Sequence, residues 1–228
     1  MSIFTLAVEA FPQLVQGVIA TLRLMVLSFL LAIVLALPIA LARMSRSHVL
    51  KVAAHTYVEV VRGMPSLTLL FLIYFGLPSF GVTLSAVDAA IFGLGLNGAA
   101  YVSEIYRAGI QAIDDGQREA AQMVGLRRWQ VMRYVVLPQA LRIVIPPLAN
   151  FSISLLKDTS VASLISAPEM MLQARDLTSE YFMPLQIYTI IGVMYLLMAL
   201  PLSFLARQLA RHLSVRSPEE TVYSNGKV

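Results

Sequence analysis

Five long apolar stretches constrain this chain more than any other feature of its sequence. They run near residues 14–42, 52–77, 85–110, 143–165 and 185–206. A membrane-spanning helix needs about 20 mostly apolar residues, and each stretch is long enough. The chain of 228 residues is 58% hydrophobic and only 13% charged, whereas soluble domains carry about 25% charged residues. We therefore predict an all-α membrane protein with five transmembrane helices.

The second and fourth stretches contain residues that interrupt a continuous helix. Gly63-Met64-Pro65 breaks the second stretch. The fourth holds two prolines and two charged residues: Pro146, Pro147, Lys157 and Asp158. Proline removes a backbone donor and crowds the preceding turn. Freed backbone at membrane depth is tolerated where it is buried or lines a water-filled cavity, so the break in the second stretch predicts a passage.

Lysine and arginine cluster in segments on one predicted side of the membrane. They follow the first span, flank the third-to-fourth connection and follow the fifth span: Arg43, Arg46, Lys51, Arg107, Arg118, Arg127, Arg128, Arg133, Arg142, Arg207, Arg211, Arg216 and Lys227. The other connections hold Arg175 among several acidic residues. The positive-inside rule then places the N-terminus outside and the C-terminus in the cytoplasm. An odd number of spans also requires opposite ends, so the two observations agree.

The rest of the chain fits a single transmembrane domain. Residues 1–13 are expected to form an extracytoplasmic N-terminal segment, residues 14–211 the transmembrane domain, and residues 212–228 a polar cytoplasmic tail that frays. The N-terminal residues lack a basic n-region, so the first span is expected to remain in the mature protein. The chain has no cysteine, which excludes disulfides and thiolate chemistry.

Motifs for nucleotide, metal and catalytic sites are either absent or out of context. Gly93-Leu-Gly-Leu-Asn-Gly98 fits G-x-G-x-x-G but lies inside a span, where close helix packing through small residues is the simpler interpretation. No P-loop motif occurs, so this chain is expected to hold no ATPase site of that kind. The three histidines lack metal-ligand spacing. No nucleophile, base and acid are found together, and neither a metal site nor a catalytic site is predicted.

Ionisable residues inside the spans are candidates for a transport path. A charge at the centre of a spanning helix costs about 2.5–3.5 kcal/mol on insertion scales. Glu59 with Arg62, and Glu104 with Arg107, have the i, i+3 spacing that permits pairing on one helix or anchoring at the interface. Residues 157–160 (Lys-Asp-Thr-Ser) lie deeper in their span, and adjacent residues on a helix do not face each other. This cluster therefore favours a cavity lining.

A basic segment, residues 111–142, separates the third and fourth spans and needs a role of its own. Glu119-Ala120-Ala121 predicts a helix with little bulk that Gly125 can end. A second helix is predicted from Leu126 to Val136, with a break at Pro138. Two helices joined by a glycine turn could bind DNA, but such a module needs a third helix and a core of its own. Both ends here enter the membrane, which favours docking to a partner protein.

The same segment resembles the EAA loop of type I ABC importer permeases. Glu119-Ala120-Ala121, Gly125 and Leu137-Pro138 match that motif, and Val135 replaces its isoleucine. Further motifs resemble the polar-amino-acid branch, which includes histidine, glutamine, arginine and cystine permeases: Tyr57-Val-Glu59, Arg62-Gly-Met-Pro65, Leu72-Ile-Tyr-Phe-Gly-Leu-Pro78, Asn97-Gly-Ala-Ala-Tyr101, Glu104-Ile-Tyr-Arg107-Ala-Gly109, Leu137-Pro-Gln-Ala-Leu-Arg142 and Leu155-Leu-Lys-Asp-Thr-Ser160. Met64 departs from the threonine that is more usual there. The likeness covers roughly residues 17–211.

The resemblance implies a permease subunit in the bacterial cytoplasmic (inner) membrane, with five core helices of the type I importer fold. Its implied partners are a second permease subunit, two ABC ATPase subunits, an extracytoplasmic amino-acid-binding protein and membrane lipid, with no nucleic acid. Homodimer and heterodimer remain open. ATP and Mg²⁺ would bind the ATPase subunits, and this chain would hold no cofactor and no catalytic residue.

The resemblance also assigns expected roles to individual residues. The contact with the ATPase is expected to involve Glu119, Ala120, Ala121, Gly125, Leu126, Leu137 and Pro138. The translocation path or its gate is expected to involve Arg62, Met64, Pro65, Asn97, Tyr101, Glu104, Lys157, Asp158, Thr159 and Ser160. An ion-gradient-driven transporter or channel is the alternative. Such proteins share buried charges and broken helices but often contain internal repeats, and none is found here.

Overall fold

The computed structural model describes residues 3–213, and nine α-helices account for most of them. Their bounds are α1 (Ile3–Arg43), α2 (His48–Gly63), α3 (Ser66–Phe71), α4 (Ala86–Gln111), α5 (Asp115–Met123), α6 (Arg128–Val131), α7 (Leu137–Asp158), α8 (Met170–Tyr181) and α9 (Pro184–Leu213). Tighter or wider helical turns occupy Leu72–Gly76, Leu77–Phe80, Met132–Val136 and Thr159–Ile165. No strand occurs within residues 3–213, so the predicted all-α class is confirmed.

Four segments are long and apolar enough to cross a membrane, and a bent pair can supply a fifth span. The four are Val8–Arg43, Ala86–Gln111, Arg128–Ile165 and Pro184–His212. In the pair, α2 is bent by 108° from the helical stretch Ser66–Phe80. The bend lies at the predicted break, where Met64 and Pro65 take extended backbone conformations. The second span is therefore two half-helices around a corner.

The structure corrects three sequence-based boundaries. α1 begins at Ile3 and runs through most of the predicted N-terminal segment. No break occurs at Pro138, because α6, the wide π-type turn Met132–Val136 and α7 form one continuous helix. Pro138 lies in the first turn of α7. Proline has no backbone N–H to donate within a helix, and the wide turn before Pro138 accommodates this missing hydrogen bond. At the other end, α9 continues to Leu213, and the predicted tail beyond it lies outside the described residues.

The short helix α8 was not predicted, although its start has a readable signal. The side chain of Glu169 caps it by accepting a hydrogen bond from the Leu172 N–H at 2.8 Å, a preferred arrangement at a helix N-terminus. Glu169 is fully buried and also accepts from the Tyr195 hydroxyl at 2.8 Å. Burial raises the pKa of the Glu169 carboxyl above its usual range. The Met170 N–H donates to the Thr21 hydroxyl, so α8 is tied to both α1 and α9.

Small residues allow α1 and α4 to pack closely along much of their length. A Cβ added at Gly95 would overlap the side chain of Leu31, and one at Gly98 would lie 2.9 Å from the Ala32 Cβ. Both glycines belong to the G-x-G-x-x-G match, which lies in the middle of α4. The structure therefore supports the packing interpretation of this motif, since small residues let helix backbones approach in membranes.

Replacing Gly98 by alanine is expected to destabilise the protein through overpacking. The new methyl group would lie 2.9 Å from the Ala32 Cβ, which the backbone fixes, and 3.0 Å from Phe151 Cζ. Overpacking of this kind costs about 1–3 kcal/mol, so the thermal midpoint of the purified protein should fall. The matched control is Gly192→Ala in α9, where no atom of the described residues lies within 4 Å of the added Cβ apart from its own helix backbone and chain neighbours. An equal response of the two variants would contradict the packing interpretation.

Candidate functional site

A cavity of about 550 Å³ opens where the broken second span faces α4 and α7. Six of the predicted path residues line it: Arg62, Met64, Pro65, Asn97, Tyr101 and Asp158. Gly63, predicted as part of the break, also lines it, and three lining residues were not singled out from the sequence: Ser66, Phe151 and Ser154. The volume lies in the range of small-molecule sites, about 300–1,000 Å³. The bend thus lines a cavity, which is where irregular backbone at membrane depth is tolerated.

The bend of the second span brings the Arg62 side chain to the cavity. α2 ends at Gly63 because Met64 is extended and Pro65 cannot continue the helix. The Arg62 guanidinium lies 5.2 Å from the centroid of the Tyr101 ring, and its Nη1 lies 3.7 Å from Glu104 Oε1. A cation within about 6 Å of an aromatic face is attracted by the ring. Arg62 therefore joins the cavity to a charged cluster on α4.

Glu104 is the centre of that cluster and does not line the cavity. Arg43, at the end of α1, donates to Glu104 Oε1, and Arg107 donates to Oε2 from Nε at 2.9 Å. The predicted pair of Glu104 with Arg107 is confirmed. The pair of Glu59 with Arg62 does not form, since Arg62 turns to Glu104 and Glu59 lies 4.0 Å from His55. One carboxylate therefore connects the ends of α1 and α2 to α4.

The polar run at the end of α7 divides between the cavity and the helix itself. Asp158 is the last residue of α7 and lines the cavity. Lys157 is exposed outside the cavity lining. The hydroxyls of Thr159 and Ser160 donate to carbonyls three residues earlier, those of Leu156 and Lys157, both at 2.7 Å. Of residues 157–160, the structure brings only Asp158 to this cavity within the described part of the chain.

The predicted docking helix is α5, and its two faces differ. Asp114 caps the start of α5 by accepting from the Gly116 N–H at 2.7 Å, and Gly125 ends the helix with a φ of +87°. Glu119 and Ala120 are exposed. Ala121 is buried against Ile113, Val131 and Val136, so it supports the helix from within. These contacts leave one face of α5 free for a partner.

Met123 and Val124, two exposed residues of the docking segment, were not singled out from the sequence. A hydrogen bond between Gln117 and Gln139 connects this segment to α7. Met123 and Val124 are 90% and 79% exposed at the end of α5, an apolar surface that the sequence marks only as two hydrophobic residues before Gly125. Gln139 on α7 donates to the Gln117 side chain at 2.6 Å. Leu126 packs partly buried in the cluster behind α5, whereas Leu137 and Pro138 are exposed at the start of α7.

Comparison with known proteins identifies the family. Residues 29–216 match the family described as the binding-protein-dependent transport system inner membrane component. The match covers most of the chain. This chain belongs to that family.

Curated relatives agree with this assignment. The probable amino-acid ABC transporter permease protein YckA of Bacillus subtilis (strain 168) is 41% identical over 190 residues, 83% of this chain and 84% of the relative. The glutamine transport system permease protein GlnP of Escherichia coli (strain K12) is 36% identical over 208 residues, 90% of this chain and 95% of the relative. The chain is thus a permease subunit of an ATP-binding-cassette transporter in the bacterial inner membrane.

Solved structures extend the agreement to the fold. A chain of an amino acid ABC transporter crystallised with histidines superposes with a TM-score of 0.88 at 38% identity, over 93% of this permease and 99% of that chain. The MetNI methionine transporter in an inward-facing conformation gives a TM-score of 0.75 at 21% identity, over 91% and 99%, which supports the fold alone. The predicted importer-permease fold is confirmed.

Replacing Glu104 by glutamine is expected to destabilise the permease. The side chain of Arg43 is only 9% exposed, and a hydrogen bond to a charged group contributes about 1.5–3 kcal/mol. The thermal midpoint should fall, and adding Arg43→Gln to this variant should cost little more, because both changes remove the same interaction. Asp115→Asn is the control, since that carboxylate is 82% exposed and pairs with Arg118 at the surface. Additive losses for Glu104 and Arg43 would contradict the assignment.

Proposed function

We propose that this permease forms the translocation path for a polar or charged amino acid delivered by an extracytoplasmic binding protein. The observation that carries the proposal is the presence of Arg62 and Asp158 in the lining of one cavity. Relatives whose names specify transport of amino acids, L-cystine and glutamine support an amino acid as the substrate.

The cavity offers a complementary group for each charge of a free amino acid. The guanidinium of Arg62 matches the α-carboxylate, because its planar donors fit a carboxylate in bidentate fashion. Asp158 matches the α-ammonium, because its carboxylate supplies the opposite charge and accepts hydrogen bonds from it. Asn97 and Tyr101 provide further hydrogen-bonding groups. Met64 and Phe151 add apolar surface for a side chain.

We propose that α5 is the docking element for a separate ABC ATPase subunit. Glu119 supplies a charge on its exposed face, and Met123 and Val124 add apolar area that membrane lipid does not cover if the segment lies in the cytoplasm. ATP and Mg²⁺ would bind the ATPase subunits, since this chain lacks the P-loop sequence. A second permease subunit, identical or different, completes the pathway. Closure of the ATPase pair would move the permeases as rigid bodies between outward- and inward-facing states.

The substrate assignment predicts different effects for two neighbouring residues of the α7 end. Asp158→Asn removes the anionic group that would face the ammonium, and the apparent KM for uptake should rise roughly tenfold or more, since a charged hydrogen bond contributes about 1.5–3 kcal/mol. Ser160→Ala should leave uptake kinetics unchanged, because the Ser160 hydroxyl donates to the Lys157 carbonyl three residues earlier and Ser160 does not line the cavity in the described structure. Uptake of a radiolabelled amino acid into proteoliposomes containing the complete importer measures both. Unchanged kinetics in Asp158→Asn would overturn this role.

The docking assignment predicts that charge reversal at Glu119 uncouples the importer. Glu119→Lys should abolish substrate-stimulated ATP hydrolysis without loss of expression, because it reverses the charge on the exposed face of α5. The control is Glu59→Lys, which makes the same charge change at a side chain that is 60% exposed on α2. ATPase activity of the purified complex, with and without loaded binding protein, is the measurement. Normal stimulation in the Glu119 variant would remove the support for α5 as the docking element.

A further inference from the structure

Two cavities at the arginine-rich end of the helix bundle share part of their lining and form one basic cleft. Their volumes are about 600 and 510 Å³, and both are lined by Arg43, Lys51 and Gln111. Arg118 and Arg128 line the first, and Arg107 lines the second. We use "basic cleft" for the space bounded by Arg43, Lys51, Arg107, Arg118 and Arg128. Within the described residues, no aspartate or glutamate lines either cavity.

The positive charge of the basic cleft is only partly compensated by neighbouring carboxylates. Glu104 pairs with Arg43 and Arg107, and Asp115 pairs with Arg118. Lys51 and Arg128 have no carboxylate within 4.0 Å in the described part of the chain. A surplus of uncompensated cations around a concave space favours an anion there.

Arg118 provides an independent sign that the cleft lacks a hydrogen-bonding group. Its Nη1 donates to Asp115 and its Nη2 to the Ile110 carbonyl. Its Nε is buried and has no hydrogen-bond partner among residues 3–213. An unsatisfied buried donor costs about 1–3 kcal/mol, and a guanidinium presents its donors in a fork that suits phosphate oxygens. The residue that lines the first cavity therefore retains an unused donor.

Apart from Gln111 and Gln122, the remaining lining of the first cavity is apolar, which favours an amphiphile over a soluble anion. Leu41, Ile110, Val131 and Val136 face the same space as the cations. The cleft lies where α1 and α4 end and α2 begins, at the level where headgroups meet acyl chains if these ends mark the membrane boundary. Basic pockets between transmembrane helices on the cytoplasmic side bind anionic lipid headgroups. The positive-inside rule predicts that this end is cytoplasmic.

We propose that the basic cleft binds an anionic phospholipid of the cytoplasmic leaflet. The phosphate lies among Lys51, Arg118 and Arg128, and the adjoining glycerol and acyl carbons lie against the apolar lining. The site is separate from the substrate cavity, because the two linings share no residue in the described part of the chain. It lies between α5 and the ends of α1 and α4, so its occupant contacts both the docking segment and the spans.

The single tryptophan of the chain gives a direct measurement. Trp129 follows Arg128 and is 57% exposed. The assembled importer is placed in bilayer discs that contain lipid with brominated acyl chains, which quench nearby tryptophan. An anionic phosphatidylglycerol and a zwitterionic phosphatidylcholine, both brominated, are compared at equal mole fraction. Trp129→Phe supplies the background from the other subunits. We expect stronger quenching by the anionic lipid, and equal quenching by both lipids would overturn the proposal.

Charge-neutral variants test whether the cleft causes that preference. Lys51→Gln with Arg128→Gln should weaken anionic lipid binding roughly thirtyfold, from about 1 kcal/mol for each basic residue near the surface, and the preference should disappear. The control, Arg142→Gln with Arg207→Gln, removes the same charge at exposed residues outside both linings. Each single cleft variant is measured as well, in case the double variant does not fold.

Three further outcomes would overturn the lipid assignment. If the control pair loses the preference equally, the preference reflects overall charge. If inorganic phosphate in solution abolishes the preference, the cleft takes a soluble phosphate. If the cleft variants keep the preference but lose the co-purifying ATPase subunit, the basic residues contact that subunit instead. The quenching measurement does not depend on amino-acid uptake. Stronger quenching by the anionic lipid would therefore support the proposal even if the amino-acid substrate assignment failed.

Discussion

The carboxylate of Glu104 is the interaction on which both proposed sites depend. It holds Arg43 at the end of α1, Arg107 on its own helix and Arg62 at the end of α2. Arg43 and Arg107 donate hydrogen bonds to this carboxylate, and such charged hydrogen bonds are short and directional. Arg62 is held by charge attraction, with its Nη1 3.7 Å from Glu104 Oε1. Arg62 then faces the substrate cavity, and Arg43 and Arg107 face the basic cleft. One ion cluster therefore contributes arginines to both spaces.

The substrate cavity exists because the second span is broken. Gly63, Met64 and Pro65 end α2 and turn the chain by 108°. An interrupted helix and the Arg62 side chain would be costly in lipid. Around the cavity they face polar residues from α4 and α7. The same break that weakens the hydropathy signal of this span therefore supplies the polar surface that a charged solute requires.

Hydropathy and local motifs predicted the spans, the break at residues 63–65 and the docking helix, because these features depend on neighbouring residues. Long-range contacts could not be predicted in the same way. The i, i+3 spacing suggested that Glu59 would pair with Arg62, but Arg62 pairs with Glu104, which lies on another helix. Thr159 and Ser160 resembled cavity residues, yet their hydroxyls satisfy carbonyls of their own helix. Pro138 predicted a break that the wide turn before it prevents.

The absence of that break has a mechanical consequence. The helix that starts at Arg128 beside the docking segment continues without interruption to Asp158 in the cavity lining. At 1.5 Å per residue it is roughly 45 Å long. Gln139 attaches it to α5 near its base. A tilt imposed at one end of such a rod displaces the other end in proportion to its length, so this helix can act as a lever between the ATPase contact and the residue proposed to hold the substrate ammonium.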